Sequence, residues 1–536
     1  MQIFIYIVII SFLVRTIRNI FYQTFLWQLK EYRIDRLWTH LSTEQGRKLI
    51  LGPVTLIKWI LLIFIIGSII TVNLSFLGLF AYFTFGIIWI LEAAIYIREL
   101  ISRGWRIPRL TLKIIIILGL SFTFQFGQLI SGNLIDELFT GPFLDKLLAP
   151  SIALFIILAN IPSSIFKKII IISAGKKISQ FKNLEVIGIT GSYGKTSTKE
   201  FLATILSEKF KVAKTPEFTN TDIGVAKYIM QELMPDHEVF LAEMGAYKKG
   251  EIEAICNMVR PKMGIITGIN EQHLELFGSI ENTKKAKFEL IESLPQQGTA
   301  IFNGDNSYCL QMAQWSKKRG LKTFIYNKTR DVKNIMVFKD HIEFTFVAAN
   351  KKYKFSVNLL GKQTIENLLA AIYAAKSLGL TVEAIKNGLA GIIPTPKTMQ
   401  LAGKLNGMTL ADDTFNANPD GVMAALNYMK IYKGKKILVL TPLIELGNDA
   451  DKIHKDLGKK AAQVCDLILL TNLNYNKPFL EGANASSGSK KVQIVNTVVG
   501  IRLIRQNIDR DGIVVFEGKE AGKMLDKLLS FERVPM

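Results

Sequence analysis

Apolar residues fall into long runs in the first third of the chain and into short, regularly spaced runs thereafter. Five runs precede residue 182, at 3–14, 59–72, 76–97, 114–130 and 151–172. Several approach the ~20 apolar residues that cross a bilayer core, so residues 1–182 are expected to form an α-helical membrane region of about five helices. From residue 183 the pattern changes. Strand-length runs at 186–190, 239–243, 264–269, 299–303, 436–441, 467–471 and 513–517 alternate with helical patterns. That alternation predicts parallel sheets covered by helices. A proline-containing stretch at 392–396 separates two such sets, dividing the remainder into one α/β domain over 183–395 and a second, Rossmann-like α/β domain over 396–536.

Charge refines the membrane reading. The first run is short enough to pass for a signal peptide, but Arg15 and Arg18 follow it and no small-residue cleavage site is evident, so it reads as a retained span. Segments 15–58 and 98–113 are basic, whereas 131–149 carries Asp136, Glu137 and Asp145 against Lys146. Five spans with the N-terminus outside place every basic loop and both α/β domains in the cytosol. The expected location is therefore an inner or plasma membrane. Charges are scarce within the runs apart from Glu92, which argues against an intramembrane transport pathway. Residues 1–182 hold 19 Lys and Arg against 8 Asp and Glu, a net +11 of the chain's +21. Half of the basic excess thus belongs to topology and anionic membrane lipid. The rest is spread without a basic helix or an aromatic-interleaved stripe, so no nucleic acid partner is expected. Cys256, Cys309 and Cys465 stand alone, which excludes a disulfide framework and a zinc ribbon and fits a reduced compartment.

The most specific chemistry follows the first strand of the α/β region. There an apolar run meets Gly191-Ser192-Tyr193-Gly194-Lys195-Thr196-Ser197, with a helical stretch after it. Glycines let backbone N–H groups curl around a phosphate, Lys195 reaches the outer phosphates, and Thr196 offers a hydroxyl to Mg²⁺. The strict phosphate-loop pattern wants a further glycine where Ile189 stands, so this is a shorter variant that still predicts a P-loop ATPase domain. Glu243 ends an apolar strand on the edge where open α/β sheets bind ligands, and its carboxylate suits Mg²⁺. His273 follows another strand on the same edge and is one of only five histidines. It reads as a second metal ligand or an organiser.

These motifs resemble the Mur ligases, the ATP-dependent amide-forming enzymes of peptidoglycan precursor synthesis. The resemblance covers residues 184–536 and is strongest to the branch that adds D-alanyl-D-alanine. It rests on the loop 191–197, Asn220-Thr221-Asp222-Ile223-Gly224-Val225, Glu243-Met244-Gly245-Ala246, His273-Leu274-Glu275 with Phe277-Gly278, and Lys285-Ala286-Lys287. Later come Gly361 to Asn367, Asp412-Asp413-Thr414-Phe415-Asn416-Ala417-Asn418-Pro419, Glu445-Leu446-Gly447 and His454. The resemblance implies a catalytic set of Lys195, His273 and Lys287. It implies nucleotide contacts from Gly191, Ser192, Gly194, Lys195, Thr196, Ser197, Asn367, Asp413 and Asn416. Thr196, Glu243, His273 and Lys287 would hold Mg²⁺, with two ions expected and Lys287 carbamylated into a carboxylate-like ligand. The cofactors would be ATP and Mg²⁺. The partners would be a small-molecule or lipid-linked carboxylate substrate and an amino acid or dipeptide amine.

The chain also departs from the family. The helical region stands where a uridine-nucleotide-binding domain is usual. Phe218 and Thr221 replace two asparagines, Gln363-Thr364 a His-Asn pair, Lys397-Thr398 a Gly-Arg, and Phe415 a tyrosine. Glu517-Gly518-Lys519-Glu520 replaces a K-G-S-R-like signature. Lysine does not reproduce arginine's planar fork, so an altered substrate with retained ATP chemistry is the expectation. Two other readings stay open at this point: a membrane ligase for another polymer, of the poly-γ-glutamate synthetase type, and a non-catalytic nucleotide-binding membrane scaffold.

Overall fold

The computed structural model describes residues 2–42, 46–47, 51–70, 76–102, 104–127, 134–217, 219–270, 277–348, 351–415, 417–444, 446, 449–486 and 491–532. The chain divides into two compact units, Met1–Ile169 and Ile170–Met536.

The first unit is helical, with Gln2–Leu29, Ile34–Ser42, Pro53–Ile70, Phe76–Ile101, Leu112–Phe126 and the start of Leu134–Ser179. Among the described residues, four helices are long and apolar enough to cross a membrane: Ile3–Leu29, Pro53–Ile70, Phe76–Ile101 and Thr140–Ser179. Leu112–Phe126, at 15 residues, measures about 22 Å against a hydrocarbon core of about 30 Å. Of the five expected spans, this one is therefore short by itself. Large apolar side chains such as Ile63, Phe76, Phe80 and Leu91 stand exposed, on a surface far more apolar than a water-soluble protein tolerates.

The interior of this unit corrects one expectation. Arg15, Lys58, Glu92 and Asp145, from four different helices, form a buried ionic cluster. Arg15 Nε lies 2.9 Å from Glu92 and its Nη2 2.9 Å from Asp145. Lys58 Nζ lies 2.6 Å from Glu92 and 3.1 Å from Asp145, and Trp89 Nε1 donates to Asp145 at 2.8 Å. Charges are thus not scarce inside the bundle. Asp145 belongs to its interior rather than to an acidic external loop, and Arg15 and Lys58 are helix-bound partners rather than loop cations. Mutual pairing is what makes these charges tolerable away from water. It also lets the first helix run through Arg15 and Arg18 to Leu29. Asp136 and Glu137 have side chains outside the described residues.

The second unit holds two parallel sheets. The first contains β1 (Glu185–Thr190), β2 (Val212–Lys214), β3 (Val239–Glu243), β4 (Met263–Ile266), β5 (Thr299–Asn303) and β6 (Lys322–Tyr326), in the order β2-β3-β1-β4-β5-β6. The inner strands β1, β3, β4 and β5 are buried on both faces, as continuous apolar runs such as Val-Phe-Leu-Ala in β3 require. All these strands run parallel, and the order in which the chain adds them switches sides about β1, whose neighbours are β3 and β4. This switch point is where an open α/β sheet leaves a crevice beyond its strand ends. A small antiparallel sheet follows, β7 (Val332–Val337), β8 (Ile342–Ala348) and β9 (Lys351–Val357).

The second large sheet contains β10 (Gln400–Leu405), β11 (Met408–Asp413), β12 (Lys436–Leu440), β13 (Leu467–Leu470), β14 (Val492–Ile494) and β15 (Ile513–Glu517). Its order is β10-β11-β15-β12-β13-β14, with only the β10–β11 pair antiparallel. Parallel pairing aligns Asp413 at the end of β11 with Glu517 at the end of β15. Thr395 and Thr398, in the segment joining the two sheets, sit near those strand ends and line the cleft described next.

Candidate active site

The loop after β1 is shaped by two glycines. Gly194 is the N-cap of the helix Lys195–Leu206, in the left-handed region at φ 77°. A Cβ there would fall 2.3 Å from Asn367 Oδ1, and one on Gly191 would fall 2.1 Å from Thr267 Oγ1. Only glycine lets the loop fold this tightly. Thr267 Oγ1 also bonds the Tyr193 carbonyl, and Ser192 Oγ accepts from Asn270 N at 3.2 Å. Thus β4 and its following segment brace the loop. The helix begins at Lys195, three residues earlier than its apolar pattern suggests, and aims its N-terminus into the cleft.

Lys195 Nζ donates to the Gly191 carbonyl at 2.8 Å and to that of Ser192 at 3.2 Å. Burial lowers its pKa while Glu243 opposes that shift. Glu243 is 1% exposed at the end of β3. Its Oε1 accepts from Asn220 Nδ2 at 3.1 Å. Among the described residues, no donor meets its Oε2 in hydrogen-bond geometry, although the Lys199 ammonium lies 3.3 Å away. Lys199, fully buried, also donates to the carbonyls of Thr215 and Pro216. A buried carboxylate oxygen with spare acceptor capacity, lining one cleft with Thr196, suits a hard divalent cation.

Lys287 comes from the helix Ile280–Glu292, whose Ser279 N-cap accepts from Asn282 N. It is 4% exposed and makes no ion pair among the described residues. Burial, and then the neighbouring Lys195 charge, drive its pKa well down. It is not a solvated surface lysine. Asn367, on the helix Thr364–Ser377, accepts from Thr198 Oγ1 at 3.4 Å.

A cleft of about 410 Å³ collects these groups: Gly191, Ser192, Gly194, Lys195, Thr196, Ser197, Glu243, Lys287, Asn367 and Asp413 all line it. Asp413 Oδ1 accepts from Met399 N at 3.0 Å. A neighbouring cavity of about 850 Å³ shares Tyr193, Gln363 and Asn367 and continues along the helix Pro419–Met429. Across it, Asn270 Nδ2 donates to Asp420 at 2.9 Å. His273 and Asn416, expected in the metal and nucleotide sets, lie outside the described residues, as do Phe218, Glu445 and Gly447. His454 is a buried structural group. Its Nε2 accepts from Leu443 N at 3.1 Å, and its ring stacks on Tyr475 with centroids 4.4 Å apart.

Three participants carry no signal of their own in the sequence. Lys199 reads as one half of an exposed Lys-Glu pair, and only its place one turn after Lys195 hints that it faces the same strands. Tyr193, inside the loop, borders both cavities. Glu517 is fully buried against Asp413, a contact fixed by strand order alone.

Residues 189–375 match the Mur ligase middle domain and residues 399–520 the Mur ligase glutamate ligase domain. The UDP-N-acetylmuramoyl-tripeptide–D-alanyl-D-alanine ligase of Mycobacterium tuberculosis is 30% identical over 375 residues, 65% of this chain and 73% of the relative. The chain belongs to the Mur ligase family. The enzyme of the same description from Escherichia coli K12 is 33% identical over 279 residues, covering 52% of this chain. The chain spans 62% of that relative's length. A crystal structure of MurF from Acinetobacter baumannii superposes with a TM-score of 0.62 at 26% identity, over 68% of this chain and 80% of that one. Neither Mur ligase domain match includes the helical unit.

Proposed function

We propose that the chain is an ATP-dependent, ADP-forming amide ligase of cell-envelope precursor synthesis, held at a membrane by its helical unit. The observation that carries this reading is the convergence of Lys195, Thr196, Glu243, Lys287 and Asp413, from four separate elements, on one cleft. Mg²⁺ held by Thr196, Glu243, His273 and a carbamylated Lys287 would supply neutralisation of phosphate charge. The loop amides cradle the phosphates, and Lys195 swings from its own loop carbonyls to the outer phosphate. Positioning and charge neutralisation of this kind are what phosphoryl transfer needs.

A carboxylate oxygen of the substrate bonds the γ-phosphorus while the bond to ADP breaks, leaving an acyl phosphate. The amine nitrogen then bonds the acyl carbon and phosphate departs. Lys287 suits carbamylation because a lysine buried beside a second lysine with no ion pair favours its uncharged amine, the form that adds CO₂. Asn367 and the larger cavity would take the adenine, and Asn416 stays among the nucleotide contacts that the family resemblance implies.

The amine is of the D-alanyl-D-alanine kind that the relatives' names describe. The carboxylate is a muramoyl peptide carried on a nucleotide or on a lipid. To test this, the full-length protein in detergent is given ATP, Mg²⁺, D-alanyl-D-alanine and UDP-N-acetylmuramoyl tripeptide, or the same peptide on a lipid carrier. ADP release that requires both substrates, with a product heavier by one dipeptide less one water, is the expected result. ADP release indifferent to both would sink the proposal.

A further inference from the structure

Glu243, the carboxylate that suits Mg²⁺, already has a cation beside it. Its Oε1 accepts from Asn220 Nδ2 at 3.1 Å, and its backbone N donates to Thr215 Oγ1 at 3.1 Å. Its Oε2 is buried and takes no hydrogen bond from the described residues, yet the Lys199 ammonium stands 3.3 Å from it. The reason is where Lys199 directs its N–H groups. Nζ donates to the Thr215 carbonyl at 2.7 Å and to that of Pro216 at 3.2 Å, and Glu200 Oε1 lies 3.3 Å away. Those contacts hold the ammonium beside Oε2 as a point charge and leave the lone pairs of that oxygen untaken.

Lys199 follows Lys195 by one turn of the helix Lys195–Leu206, so one element carries a lysine into the phosphate loop and a second against the ends of β2 and β3. Lys199 is fully buried, which lysines almost never are unless paired. Two backbone carbonyls need N–H donors but no charge, and burying an ammonium is costly. The charge is therefore kept for Glu243. Glu200 is also bonded to the exposed Lys214, and those two cancel. Lys287, buried in the same cleft, adds no charge as its amine. Lys195 and Lys199 thus stand as two cations against the single carboxylate of Glu243. A divalent ion arriving alone meets net repulsion at short range, where a buried site screens little.

We propose that Lys199 makes metal binding conditional on nucleotide: its fixed charge keeps Glu243 from holding a divalent cation alone, and the phosphates of ATP reverse the local balance so that Mg²⁺ enters with them. Lys199 acts through Glu243 and is a positioning residue, not a catalytic one. The inference rests on the metal reading of Glu243 and on neither substrate's identity. It explains why a carboxylate oxygen with free lone pairs is placed beside an ammonium that does not bond to it.

Mn²⁺ serves as the probe, and equilibrium dialysis counts only the metal that the protein retains. Full-length protein in detergent is titrated with and without a non-hydrolysable ATP analogue, well above the carboxylate range at about pH 8. The buffer is free of CO₂, which keeps Lys287 as its amine, and Glu243→Gln supplies the background from other carboxylates. Wild-type protein is expected to hold Mn²⁺ above that background with the analogue and not without it. Lys199→Gln keeps donors for the Thr215 and Pro216 carbonyls and drops the charge. Without nucleotide it should bind Mn²⁺ about tenfold tighter than the wild type or better, about 1.4 kcal/mol, and adding Glu243→Gln should abolish the gain. Lys199→Arg, which keeps the charge, should show no such gain. An unchanged nucleotide-free affinity in Lys199→Gln overturns the proposal, as does an equal gain in Lys199→Arg. Should Lys199→Gln fail to fold, the wild type decides: Mn²⁺ held equally with and without the analogue contradicts the proposal, and Mn²⁺ held only with it supports it. Wild-type protein that binds the analogue but retains no Mn²⁺ above background in either condition overturns the metal reading of Glu243 instead.

Discussion

Gly194 and Gly250 form a matched pair on which the architecture of the phosphate loop can be tested. Both are helix N-caps in the left-handed region, at φ 77° and 89°, and neither has a side chain that caps its helix. Alanine at either position carries about 1–2 kcal/mol of backbone strain. That strain is present with and without nucleotide, so it lowers stability and leaves affinity alone. What differs is the surroundings. A Cβ on Gly250 meets nothing within 4 Å, whereas one on Gly194 lies 2.3 Å from Asn367 Oδ1, more than ~1 Å inside van der Waals separation. Asn367 must retreat, giving up its bond from Thr198 and its place in the cleft. Losing one such contact is worth about 0.5–1.5 kcal/mol, or roughly two- to thirteenfold in affinity. Calorimetric titration with a non-hydrolysable ATP analogue should therefore show that weakening in Gly194→Ala and none in Gly250→Ala, while thermal unfolding shows both destabilised. Equal affinity losses in the two variants, or none in Gly194→Ala, would refute the reasoning.

Lys195→Ala removes the cation that bonds within the phosphate loop, and ADP formation should fall a hundred- to thousandfold, about 2.7–4 kcal/mol, in a steady-state assay. Ionising the Asp413–Glu517 pair costs folding energy because burial raises both pKa values. The folded state therefore holds protons that the unfolded chain releases, and stability from this pair is greatest in acid and lost as pH rises through about 6. Unfolding midpoints measured across pH should show that fall, and Asp413→Asn should flatten it. In the helical unit, Asp145→Asn leaves Arg15 and Lys58 facing Glu92 alone and should destabilise by about 3–5 kcal/mol. Adding Lys58→Met restores charge balance and should recover part of the loss in a detergent unfolding series.

The parallel strands were legible because full burial writes itself as an unbroken apolar run. The expected ranges 239–243, 299–303 and 513–517 are those of β3, β5 and β15. The strands β7 to β9 carry the weaker alternating signal of a half-exposed sheet, as in Lys-Lys-Tyr-Lys-Phe-Ser-Val, which loop-like lysines obscure. The phosphate loop was legible because its glycines are demanded locally. The pairing of Asp413 with Glu517 was not, since 104 residues separate them and only the insertion of β15 between β11 and β12 brings them together. The ionic cluster of Arg15, Lys58, Glu92 and Asp145 was hidden for the same reason. Each charge alone reads as a loop residue or an isolated exception, and helix packing makes them a neutral set.

The central claim is that ATP drives ligation through an acyl phosphate. It is tested most directly by labelling both oxygens of the substrate carboxylate with ¹⁸O and analysing the phosphate released in the presence of amine. The account predicts that each phosphate carries one ¹⁸O atom and that Lys195→Ala releases almost none. Phosphate released at the same rate without ¹⁸O would mean that water is the phosphoryl acceptor, and would contradict the account.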